Sequence, residues 1–284
     1  MQCLVFDDRG EVWDTNSPGL ANGLRASISG DALTSYAIKN LGFVAVNVIN
    51  ESVRVRLRPA VVSQVALGGL FYWLHDQPFH RVMLSFLDGE WTHELMRSRE
   101  EAMGRLLGRV KINLDDRRGD FLHKPRPLHD LPASSPLRAM LYAWSECEGI
   151  FDPERLRPLL QQALSGRYIL VQSDASSPTL WVKDVGRGFQ QHSTYWLSRT
   201  KGLRVEDQPD LAYGKWVSEL YRRVAVTREP SLEDVDAVIS WPHQPRVSYR
   251  YRRLVVPFHA DRNSTLLLSA TVADPDIDLR VKAN

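Results

Sequence analysis

The sequence predicts an α+β protein of two domains, and three observations predict it. The first is length, since 284 residues exceed the usual span of one domain. The second is composition: 43% hydrophobic and 25% charged residues supply a sizeable core and exclude a wholly disordered chain. The third is pattern. Short β-branched runs and amphipathic stretches follow one another with no fixed repeat and no low-complexity tract, broken at residues 115–136 by prolines and charges with almost no apolar periodicity. That break reads as a connector over residues 115–134, between an N-terminal α+β domain at 1–114 and a C-terminal domain at 135–284.

In the N-terminal domain, CLVFDD and RGEVWD read as strands about a turn at Asp8-Arg9-Gly10, where Gly supplies a positive φ. TNSPGLANG reads as a polar loop. Asp31 caps a helix through LTSYAIKNLG, which stops at Gly42. FVAVNVI and SVRVRLRP read as strands paired around Asn50-Glu51. Residues 61–75 are apolar at helical spacing, HRVMLSFL is a further strand, and GEWTHELMRSREEAMGRLLGRV reads as one or two amphipathic helices.

In the C-terminal domain, Ser135 caps and Pro136 opens a helix through SPLRAMLYAWSEC. Asp152-Pro153 opens another, PERLRPLLQQALSG, which ends at Gly166. RYILVQSD, PTLWVKDVG, VSYRYRRLVVPF and TLLLSATV have the β-branched and aromatic content of strands. QQHSTYWLSRTKG and LAYGKWVSELYRRVAVTRE, between them, are helical.

Several of these pieces resemble the divergent PAS-like sensory domains of bacteria. They are the aromatic helix with Trp144, the Asp152-Pro153 helix, the strand from Tyr168, the helix LAYGKWVSELYRRV, and YRYRRLVVPFHADRNSTLLLSATV. In the last, Tyr251, Arg252, Arg253 and Leu254 lead into Val256, Pro257 and Phe258. The resemblance runs from about residue 135 to 273; the family's arginine-aromatic strand and following glycine appear only as the looser WVKDVGRGF. It implies a five-stranded antiparallel sheet with flanking helices that binds a small molecule, a cofactor or a partner, and it implies no reaction. Trp181, Trp196 and Trp216, with Tyr251 and Arg253, are then the residues to line a ligand pocket, the alternative being ordinary core packing.

The remaining chemistry is sparse. Thirty-six basic and thirty-four acidic side chains leave a net charge of +2, so nucleic acid is not an expected partner. Cys3 and Cys147 are too few for a disulfide framework, and no apolar run approaches a membrane span. MQCLVFDDRGE carries acids where a signal peptide carries basic and apolar residues, so a cytoplasmic location is expected. His75, His80 and His93 fit no zinc spacing, and no metal or cofactor is expected. No GxSxG elbow or phosphate-binding loop occurs, and Gly186-Arg187-Gly188 is too short for one. Arg54, Arg56 and Arg58 alternate with Val53, Val55 and Leu57, so one strand face projects three guanidiniums that suit a phosphorylated ligand or an acidic partner. The plainer alternative is an edge strand guarded by charge and closed by Pro59. Arg246, Arg250 and Arg252 alternate similarly.

The expectation is a non-catalytic signal-sensing or regulatory protein that binds a small molecule or protein partner, with a homodimer as one route for the response. Two alternatives stand beside it. One is an adaptor whose PAS-like core is filled by its own side chains; the other is an enzyme using His or Asp residues of the N-terminal domain.

Overall fold

A computed structural model describes residues 2–110, 115–174, 177, 179–189, 200–241, 246–260 and 264–280. The chain divides into two compact units. Unit 1 holds residues 1–113 with 209–212 and 240–245, and unit 2 holds the rest.

Unit 1 is built on strands β1 (Gln2–Phe6), β2 (Val12–Asp14), β3 (Val44–Ile49), β4 (Ser52–Leu57), β5 (Arg81–Asp88) and β6 (Glu90–Met96), in the order β2-β1-β3-β4-β5-β6. The expected β3–β4 pairing is present, with Val46 opposite Val55. β4 and β5 run parallel, and parallel neighbours need a crossover. Helix α1 (Gly19–Leu24) occupies the expected polar loop, and α2 (Gly30–Tyr36) continues as a π turn to Gly42. The crossover is α3 (Gln64–Asp76), whose cap Ser63 accepts hydrogen bonds from the Val65 and Ala66 amides; α4 (Arg99–Arg109) follows β6. Val53, Val55 and Leu57 alternate inward beside Val82, Leu84 and Phe86. There they meet Leu67, Leu70 and Leu74 of α3 and Leu106 of α4. Each such side chain contributes about 1.5–3 kcal/mol by leaving water. The opposite face is covered over β1 and β3, where Leu20, Leu33 and Ile38 pack on Val5 and Ala45.

Residues 90–96 form a strand, not the expected start of a helix. Gly89, at φ +82°, turns the chain back on β5, and Ser85 pairs with His93.

Unit 2 carries β7 (Phe121–Arg126), β8 (Tyr168–Asp174), β9 (Leu180–Val185), β10 (Ser231–Ile239), β11 (Val247–His259) and β12 (Ser264–Ala273). Their order is β7-β10-β11-β12-β8-β9, and every pairing is antiparallel. The sheet therefore has six strands where five were expected. The additional one, β7, lies in the stretch read as a connector. It sits at the sheet edge, the position where Pro125, which has no amide proton, does least harm. β10 was also missed, because Glu233, Asp234 and Asp236 are poor strand residues until their neighbours are known.

Helices α5 (Pro136–Glu146) and α6 (Pro153–Pro158) start where expected. The Ser135 hydroxyl accepts from the Leu137 amide, and the Asp152 carboxylate accepts from those of Glu154 and Arg155. They lay Leu137, Met140 and Leu156 on Leu254, Val256, Phe258 and Leu268. Helix α7 (Leu211–Thr227) covers the other sheet face, with Val217, Leu220, Tyr221 and Val224 on Val171, Val182, Val255 and Leu267. Gly186 and Gly188 serve close approach of backbones: a Cβ on Gly186 would come within 2.0 Å of the Gly166 carbonyl oxygen. The expected helix QQHSTYWLSRTKG lies almost wholly outside the described residues. No described helix is long and apolar enough to cross a membrane.

Candidate functional site

The stripe that α7 lays on this sheet includes Tyr213 and Trp216, one turn before Val217 and Leu220. Trp216 stacks on Phe121 of β7 with ring centroids 5.6 Å apart, and meets the His123 ring edge-on at 5.8 Å. On its sheet side it takes the guanidinium of Arg253, 5.3 Å from the ring centre. Arg253 is 2% exposed, and Glu233, its register partner on β10, is 1% exposed. Arg253 Nε donates to Glu233 Oε1 at 3.0 Å, and His123 Nδ1 lies 2.9 Å from the other carboxylate oxygen. Tyr213 and Tyr251 share a hydroxyl hydrogen bond of 2.9 Å beside this pair.

The electrostatics follow from that packing. Burial pushes the Glu233 carboxyl up, but the charge of Arg253 and the hydrogen bonds from His123 and Arg253 outweigh it and hold the group at about 2. Burial alone would lower the Arg253 guanidinium, and Glu233 reverses the sign. Burial pushes the phenol of Tyr213 well up, and the neighbouring Tyr251 adds to the rise. Glu233 is thus held as an anion.

Of the residues expected to form a pocket, Trp216, Tyr251 and Arg253 come together. Trp181 does not join them. Its neighbours Leu180 and Val182 point into the cluster beneath α7, so strand alternation sends Trp181 to the opposite face. Trp196 lies outside the described residues. Glu233, His123, Tyr213 and Phe121 are members that the sequence reading missed.

Other candidates resolve differently. On the sheet's second face the arginines meet acids of β10: Arg252 Nε lies 2.7 Å from Asp234, and Arg250 3.5 Å from Asp236, which Arg280 also contacts at 2.9 Å. Arg246 pairs with Asp120. These cations are neutralised. A cleft of about 220 Å³ opens among Trp144, Glu148, Arg228, Pro257 and His259, smaller than the usual site for an organic ligand.

In unit 1, Arg54 and Arg56 lie on one face of β4 as alternation requires and Arg58 follows its end, but β4 is an interior strand, so protection of an edge does not explain them. Arg58 turns away, with Nη1 donating to the Lys39 carbonyl at 2.7 Å. Arg54 Nε donates to the Ser85 hydroxyl at 3.2 Å, and that hydroxyl lies 2.9 Å from His93 Nδ1.

Compared with known proteins, the chain matches no family model, no curated protein and no solved structure.

Proposed function

We propose that unit 2 is a PAS-like sensory unit and that the protein is a non-catalytic sensing or regulatory protein, recognising a small molecule or protein partner at the sheet face beneath α7. The observation that carries this reading is the Arg253–Glu233 pair. A buried ion pair adds little net stability over an apolar pair of the same size, so its placement against Trp216, Tyr213 and Tyr251 favours a recognition role. His123, on the solvent side of Glu233, connects that buried pair to the surface at the β7 edge. The antiparallel pairing of β8 to β12 and the helices on both faces agree with the resemblance.

The same packing also favours a second reading, an adaptor whose sheet face is filled by its own side chains, since Trp216, Tyr213, Tyr251 and Arg253 satisfy one another. Native mass spectrometry of the purified full chain separates the two. A sensor retains a small molecule that Trp216→Ala releases, or binds a partner protein in a way that Glu233→Gln weakens at least tenfold. A bare chain whose partner binding is indifferent to both substitutions overturns the sensory reading.

A further inference from the structure

The outer face of the unit 1 sheet carries a charge arrangement that the fold leaves unbalanced. Cross-strand register sets two rows on it. One runs Leu95, Met83, Arg54; the other runs His93, Ser85, Arg56. The side chains of one strand face at i and i+2 stand about 7 Å apart, within the reach of two guanidiniums closing on one small group. Arg54 reaches diagonally to the buried Ser85, the register partner of Arg56, which brings its guanidinium toward the row that Arg56 occupies.

Neither arginine has a carboxylate within ion-pair distance among the described residues, and the Arg56 Nε is shielded from water without an acceptor. Burial lowers the Arg56 guanidinium first, and the charge of Arg54 lowers it further; Asp31 and Cys3 oppose both. An anion between the two would relieve that repulsion. The Ser85 hydroxyl accepts from Arg54 and is therefore free to donate to His93 Nδ1. With the hydroxyl donating there, the imidazole proton sits on Nε2 of an exposed ring. Around these donors Met83, Trp91 and Leu95 are 39%, 37% and 58% exposed, an apolar rim on the same face.

We propose that this face is a binding site for a small phosphate monoester, with Arg54, Arg56 and His93 holding the phosphoryl oxygens and Met83, Trp91 and Leu95 receiving an apolar or aromatic body. Charge selects phosphate over carboxylate, since a monoester brings about −1.5 to −2 to two guanidiniums that have no carboxylate at ion-pair distance among the described residues. Ser85 is a positioning residue. Its hydroxyl is enclosed, so it orients Arg54 and His93 without touching the ligand. The site lies in unit 1 and does not depend on the sensory reading of unit 2.

Isothermal titration of the full chain with phenyl phosphate, inorganic phosphate and benzoate tests it. Phenyl phosphate is expected to bind at least tenfold tighter than either of the others, and Arg56→Gln or Arg54→Gln to weaken it at least tenfold. Arg56→Lys keeps the charge but loses the fork and should weaken it several-fold, as should His93→Gln; these two carry the test if a glutamine variant does not fold. Vesicles of phosphatidate are expected to recruit no more protein than vesicles of phosphatidylcholine. Equal binding of benzoate and phenyl phosphate, affinity unchanged in the variants, or recruitment by phosphatidate without phenyl phosphate binding would overturn the proposal.

Discussion

Two strands in this molecule carry alternating arginines, and their neighbours give them opposite fates. β11 in unit 2 lies beside β10, whose acids stand in register: Arg250 opposite Asp236, Arg252 opposite Asp234, Arg253 opposite Glu233. β4 in unit 1 lies between β3 and β5, which place Asn47 and Met83 beside Arg54, and Ala45 and Ser85 beside Arg56. The first set is neutralised within the sheet. The second is left charged and becomes a surface with something to bind. A strand's own sequence does not distinguish these cases; the strand hydrogen-bonded to it does.

That contrast can be broken most forcefully at Glu233. Glu233→Leu leaves Arg253 buried and unpaired and is expected to cost about 3–5 kcal/mol in urea unfolding, whereas the double replacement Glu233→Leu with Arg253→Met recovers most of it. Acid should expose the same pair. Because the folded carboxyl is held at about 2, below its unfolded value of about 4.3, its stabilisation is complete above that unfolded value and is lost as pH falls toward 2. The wild-type midpoint should therefore drop across this window more steeply than that of the double variant. A smaller effect is expected from Tyr213→Phe, which deprives the Tyr251 hydroxyl of its partner at about 0.5–1.5 kcal/mol, read in the same unfolding experiment. Arg56→Gln should be the mildest, within about 0.5 kcal/mol of wild type in thermal melts, because it breaks no ion pair and removes a like-charge neighbour. A large loss there would make β4 resemble β11 after all.

The sequence was readable where side chains declare their own environment. Alternation in FVAVNVI and SVRVRLRP predicts the β3–β4 pair, and the Ser135 and Asp152 caps predict the starts of α5 and α6. It was opaque where a residue's meaning lies in a distant neighbour. Trp91, His93 and Leu95 put apolar and polar groups together on an exposed face, so β6 merged with the helical pattern that follows. The acids of β10 find their place in a strand only beside the arginines of β11. Trp216, Tyr251 and Arg253 were legible as a cluster from the resemblance, but Glu233 and His123, which fix its charge, were not. They stand 110 positions apart, and only the β7–β10 pairing brings them together.

That separation bears on how the polypeptide matures. β7 leaves the ribosome long before its partner, and at typical synthesis rates of about 5–20 residues per second it waits on the order of ten seconds for β10 to emerge. Pro125, Pro127 and the charges of Lys124 and Arg126 make it a poor template for stray strand association during that interval. The composition that disguised this segment as a hinge is also what keeps a nascent, unmatched strand out of trouble until its mate arrives.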